Sequence, residues 1–152
     1  MKFYNRKQEL DILNAHWKEQ GVTVDVLTGR RRIGKTVLAL QYSKTKKSLY
    51  FFTSRKEILA LLEEWATILR EVFPVVTTFQ TIDEFLRVLF TVTEAEKYVI
   101  IFDEFQNFKY IAPSAFSDFQ KHIDKAVSDG RNSHILFLGS SVTLMEKVFK
   151  DK

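Results

Sequence analysis

Apolar residues along the chain fall into two alternating patterns. Four short runs are continuous or alternating in apolar positions: Val22 to Gly29 (VTVDVLTG), Ser48 to Ser54 (SLYFFTS), Lys97 to Phe105 (KYVIIFDEF) and His134 to Ser141 (HILFLGSS). Their lengths predict strands. The third and fourth are nearly unbroken, as strands covered on both faces are. The first alternates and carries Asp25, which is awkward in a buried central strand and tolerable near the start of one.

Between these runs the apolar spacing becomes helical. NRKQELDILNAHWKEQ places Leu10, Leu13 and Trp17 on one face and ends before Gly21. GKTVLALQYSK follows the first strand, and SRKEILALLEEWATILREVF stops at Pro74. TIDEFLRVLFTV carries Thr81 and Glu84 at capping-box spacing. PSAFSDFQKHIDKAVSD opens with Pro113 and ends before Gly130, the expected proline and glycine asymmetry. A last helix is predicted from about Val142 to Phe149. Strands alternating with helices predict an α/β domain: a three-layer sandwich with a parallel sheet, right-handed crossovers and helices on both faces. With neither an internal repeat nor a linker, residues 1–152 are expected to form one domain.

Composition narrows the chemistry. The chain has no cysteine, which removes disulfides, thiolate metal sites and cysteine nucleophiles together. Its first residues, MKFYNRKQELDIL, lack a signal peptide's apolar segment, and no run approaches membrane-spanning length. A soluble, cytoplasmic domain with no membrane partner is the expectation. The net charge of +4 is compatible with nucleic-acid contact. Much of the excess lies in Arg30 to Arg32 and in Lys44, Lys46 and Lys47, and the lysines sit where a helix end would favour cations.

GRRRIGKT, from Gly29 to Thr36, matches the pattern G-x-x-x-x-G-K-[ST] and lies between a strand and a helix, the context that gives the pattern meaning. Such a loop turns its N–H groups around phosphate oxygens, and the helix start adds positive potential. Gly29 and Gly34 permit the turn, Lys35 reaches the β- and γ-phosphates, and the Thr36 hydroxyl ligates Mg²⁺. Ile33 and Val37 complete the nucleotide-binding stretch. The phosphates are held by backbone groups, which frees Arg30, Arg31 and Arg32 for the nucleotide's edge, a neighbouring domain or solvent.

The third strand ends in Asp103 and Glu104. Ligand sites gather at the carboxyl ends of parallel strands, which puts this pair on the same sheet edge as the phosphate loop. Asp103 is expected to hold Mg²⁺ through its water shell, and Glu104 to polarise the water that attacks the γ-phosphate. Ser140 and Ser141 end the fourth strand on that edge, where a hydroxyl either bonds the γ-phosphate or lytic water, or caps the following helix. His16, His122 and His134 have no metal-site spacing and default to surface or core. Phe102, Phe105, Phe108, Phe116 and Phe119 are expected in the core.

FYNRKQEL, GRRRIGKT, IIFDEFQ and LFLGSS, in that order, resemble the archaeal and bacterial P-loop ATPases of the AAA+/STAND branch, distantly similar to origin-recognition initiators. The resemblance covers the whole chain. It implies a P-loop NTPase fold of the RecA/AAA+ (ASCE) type with strand order 5-1-4-3-2, and makes the three arginines a family feature. It implies that Asn5, Arg6 and Glu9 line the adenine side. Asp103 and Glu104 become the Walker B pair that follows the Walker A loop, with the polar sensor at Ser140 or Ser141. Members of that family continue into a fifth strand, a helical lid and often a C-terminal domain, whereas this sequence stops at MEKVFKDK. The expectation is therefore a core without fifth strand or lid, its first strand left as a sheet edge. Any further arginine would come from the lid or a neighbouring subunit.

The function expected from these residues is an ATPase that binds Mg-ATP or ADP and hydrolyses ATP slowly by itself. The alternatives are an ATP-gated DNA-binding module, a nucleotide-binding fragment without turnover, and a P-loop kinase in which Glu104 is dispensable.

Overall fold

The structure, a computed structural model, describes residues 3–29 and 34–140, with side chains from residue 7 onward. Four strands, β1 (Val22–Thr28), β2 (Ser48–Phe52), β3 (Tyr98–Asp103) and β4 (Ser133–Gly139), form one sheet. They pair in parallel in the order β1-β4-β3-β2, so β4 lies between the phosphate-loop strand and the acidic strand. That order is the one the resemblance implies for these strands.

Among the described residues, six helices surround the sheet: α1 (Phe3–Trp17), α2 (Lys35–Ser43), α3 (Ile58–Val72), α4 (Ile82–Val92), α5 (Phe108–Ile111) and α6 (Ala115–Ser128). Side-chain alternation along β3 and β4 divides the core in two. Ile100, Phe102, Ile135 and Phe137 pack with α3, α4 and α6, while Val99, Ile101, Leu136 and Leu138 pack with Leu13 of α1 and Leu38, Ala39 and Tyr42 of α2. Both faces are covered, which explains the unbroken apolar runs. Asp25 is tolerated because β1 is a half-buried edge strand of the described sheet.

Aromatic rings fix the register beneath the site. Phe51, Phe102 and Phe137 are paired partners on adjacent strands, and their rings stack with centroids 5.5 Å apart at each step. A one-residue slip would turn these rings to the other face. Because the register holds, Phe52 lies opposite Asp103 and the site residues one position beyond the rings share the sheet's edge.

Local signals set some helix ends. The Thr81 hydroxyl accepts from the Glu84 N–H and starts α4, and α3 ends at Val72, two residues before Pro74. The expected strand through Phe105 instead stops at Asp103, because Glu104 adopts a left-handed conformation (φ 51°, ψ 41°) and leads into a 3₁₀ turn over Phe105–Asn107. The turn and the short α5 escape a periodicity reading because each is too short, at three and four residues, to show a period. The last expected helix and Ser141 lie outside the described residues. Among the described residues, no helix is long and apolar enough to cross a membrane.

Candidate functional site

The phosphate-loop glycines take conformations that side chains resist. Gly29 has φ 139° and Gly34 φ 85°. Gly34 is the N-cap of α2, and no side chain caps it. The first bond into the helix runs from Leu38 N–H to Gly34 C=O, so the N–H groups ahead of it point out of the helix start, where an anion is favoured. Lys35 Nζ donates to the Gly29 carbonyl at 3.0 Å and closes the loop on itself. Arg30, Arg31, Arg32 and Ile33 lie outside the described residues.

Across the sheet's edge, the buried Asp103 carboxylate is held at three points. Its Oδ2 accepts from the Thr36 hydroxyl at 2.7 Å and from the Tyr50 hydroxyl at 2.5 Å. Its Oδ1 accepts from the Glu104 N–H at 2.8 Å. Burial, then the hydrogen bond to Asp103, pushes the Tyr50 phenol above its ordinary value, so it stays a donor. The expected metal pair of Thr36 and Asp103 is thus in direct contact. A hydroxyl and a carboxylate oxygen are the donor types a hard divalent cation such as Mg²⁺ takes.

Glu104 is the one non-glycine residue with positive φ among the described residues. A left-handed conformation costs an L-residue about 1–2 kcal/mol, and such strain gathers at functional sites. It lifts the Glu104 carboxylate off the strand end, where Oε2 accepts from Gln106 Nε2 at 2.8 Å. The same Nε2 lies 3.2 Å from the Ser140 hydroxyl, and the Ser140 N–H donates to Gln106 Oε1 at 3.3 Å. Gln106 therefore bridges the acidic residue and the expected sensor.

A second group escaped the sequence reading. Arg55, three residues beyond β2, donates through Nε to Asn107 Oδ1 at 3.2 Å and lies 4.2 Å from the centre of the Tyr110 ring. Asn107 in turn donates to the Thr53 carbonyl at 2.8 Å. Polar residues just after β2, on the edge already marked by β1 and β3, were the available signal.

Two clefts meet at Gly34 and Lys35. One, of about 500 Å³, is lined by Thr36, Val37, Arg55, Asp103, Glu104 and Asn107. The other, of about 450 Å³, runs between α1 and β1 and is lined by Glu9, Ile12, Leu13 and residues from Asp25 to Thr28. Glu9 thus lines a cleft that Gly34 and Lys35 also line, while the side chains of Asn5 and Arg6 lie outside the described residues.

His122 and His134 are buried, as core histidines, and His16 is partly exposed. His122 contacts Asp83 at 2.9 Å, tying α6 to α4. His16 and His134, with no telling spacing in sequence, converge on Asp25.

A family model described as an AAA domain matches residues 22–152. An uncharacterized protein of Methanocaldococcus jannaschii is 30% identical over 151 residues, 99% of this chain and 32% of that protein. The chain therefore spans about a third of that relative's length. The Walker-type ATPase of Pyrococcus abyssi superposes with a TM-score of 0.65 at 18% identity, covering 95% of this chain and 47% of the other. The ORC2 protein of Aeropyrum pernix, solved as ADPNP-ADP complexes, gives 0.63 at 18% identity, covering 97% and 44%. These likenesses show the fold. The glycine turn, the strand order and the family match over most of its length agree, and the chain belongs to the AAA domain family, with the fold of the P-loop ATPases.

Proposed function

We propose that this domain binds Mg-ATP and Mg-ADP at the α2 start and hydrolyses ATP. The observation that carries this reading is the 2.7 Å contact between the Thr36 hydroxyl and Asp103, which joins the phosphate turn to the acidic strand across 67 residues of sequence.

In this reading the N–H groups at the α2 start hold the phosphate chain, and Lys35 exchanges the Gly29 carbonyl for a phosphate oxygen. Thr36 and Asp103 would hold Mg²⁺, which when bound offsets charge on the phosphate oxygens. Tyr50 and the Glu104 N–H keep the Asp103 carboxylate oriented. Glu104 takes a proton from water as the water oxygen bonds to the γ-phosphorus and the bond to the ADP oxygen breaks. Gln106 holds Glu104 and Ser140 together, which positions the base beside a hydroxyl able to bond the γ-phosphate. Arg55 presents its guanidinium to the same cleft, and the base and ribose run along the α1–β1 cleft past Glu9.

Turnover by the domain alone is slow in this reading, because Arg55 is exposed and water weakens its hold on developing charge. Phosphate release measured for wild type and Glu104→Gln tests the reading. Turnover falls at least about a hundredfold in the variant while nucleotide still binds. Equal turnover in both proteins would overturn the assignment of the base.

A further inference from the structure

We propose that His16, Asp25 and His134 bind one transition-metal ion of the zinc class, at a site separate from the phosphate turn. Asp25 Oδ2 lies 2.7 Å from His16 Nδ1 and 2.6 Å from His134 Nε2. All three donor atoms fall within 4.8 Å of one another, and they come from α1, β1 and β4.

The residue types are hard to explain by packing. His134 is wholly buried in a strand that otherwise reads as an apolar run, and Asp25 interrupts the apolar alternation of β1. Burying an imidazole and a carboxylate where leucine or valine would pack is unfavourable unless their polar atoms are used. Here both nitrogens aim at a single carboxylate oxygen. Two imidazoles and a carboxylate suit zinc, cobalt, nickel or copper rather than Mg²⁺ or Ca²⁺.

The surroundings supply what such a site needs. The other ring nitrogen of His134, Nδ1, lies 2.6 Å from the Tyr42 hydroxyl, the outer contact that fixes the tautomer of a metal-bound histidine. Asp25 lines the α1–β1 cleft, which gives an ion a way in and leaves room for water as a further ligand. Donors around a tetrahedral zinc ion stand about 3.3 Å apart, so the carboxylate must draw back from both nitrogens and the two imidazoles, whose donor atoms lie within 4.8 Å of one another, must draw together. With Nε2 given to an ion, the His134 ring proton would sit on Nδ1, where the Tyr42 oxygen can accept it. Without an ion the same atoms close as a hydrogen-bonded network, which is the competing account.

Cobalt and zinc titrations of metal-stripped protein carrying no histidine tag decide between them. The proposal predicts one equivalent of Co²⁺ with the visible absorption of a four-coordinate ion, displaced by Zn²⁺. His16→Ala, at a partly exposed helix position, and the same-shaped Asp25→Asn lose that signal, and Tyr42→Phe weakens binding about 10- to 100-fold. Asp103→Asn, which removes the carboxylate of the phosphate site, leaves the titration unchanged. Absence of saturable binding by folded wild type overturns the proposal, as does binding that survives His16→Ala but disappears in Asp103→Asn.

Discussion

Tyr50 and Thr36 share one oxygen of Asp103, the phenol at 2.5 Å and the hydroxyl at 2.7 Å. The phenol is therefore the part of the site that remains on Asp103 when Thr36 turns to a metal ion. Tyr50→Phe removes one hydrogen bond to a carboxylate, a loss of about 1.5–3 kcal/mol of stability. The Glu104 N–H still holds Asp103 when Thr36 turns to the ion, so Mg-ATP affinity falls less than about tenfold. Thermal unfolding and nucleotide titration of the same variant check both parts.

The left-handed Glu104 separates strain from chemistry. Glu104→Gly relieves about 1–2 kcal/mol of backbone strain and adds about 0.5–1 kcal/mol of chain entropy to the unfolded state. Stability is expected to stay level or rise by up to about 1.5 kcal/mol while turnover is lost. Glu104→Gln keeps the strain and loses the base, so it matches wild type in stability. Denaturant unfolding beside phosphate release measures the two effects independently.

Arg55 depends on Asn107 for its direction. Arg55→Ala is expected to reduce turnover roughly 10- to 100-fold with a smaller change in nucleotide affinity. Arg55→Lys does not restore it, because an ammonium lacks the planar fork that Asn107 and Tyr110 hold. Asn107→Ala should reproduce part of the Arg55→Ala loss in kcat. Steady-state kinetics on the three variants distinguish a positioned guanidinium from general positive charge.

Asp83 provides a pH signature away from the site. Its hydrogen bonds from Lys121 and then His122 hold its carboxyl at about 2, below the ordinary 3.8, and Arg87 faces it from the same helix. A depressed folded-state value stabilises the fold above the unfolded value, and that contribution is lost as pH falls through the folded one. Asp83→Asn should thus be less stable than wild type at neutral pH, with the gap nearly constant down to about pH 5 and closed only below about pH 2. Acid unfolding curves of the two proteins read this directly.

Much of the fold was legible because its signals are local. Val22–Thr28, Ser48–Phe52, Tyr98–Asp103 and Ser133–Gly139 fall within a residue or two of the apolar runs that predict them. Gly34, Lys35 and Thr36 were legible as a short motif, and Asp103 and Glu104 followed from their place after an apolar strand. What escaped depends on tertiary neighbours. His16 and His134 lie 9 and 109 residues from Asp25 in sequence; the pairing of β1 with β4 brings His134 to it, and the packing of α1 against β1 brings His16. Arg55 meets Asn107 across 52 residues, at a turn that the left-handed Glu104 creates. Gln106 was visible as part of DEFQ, but its bridge to Ser140 spans two strand ends that periodicity cannot place side by side.

Calorimetric titration of Mg-ATP and Mg-ADP into folded wild type and Lys35→Ala tests the central claim most directly. The account predicts one saturable site for each nucleotide in wild type, weakened about 10- to 100-fold when the charged contact of Lys35 is removed. Equal affinity in both proteins, or no binding by folded wild type, would contradict it.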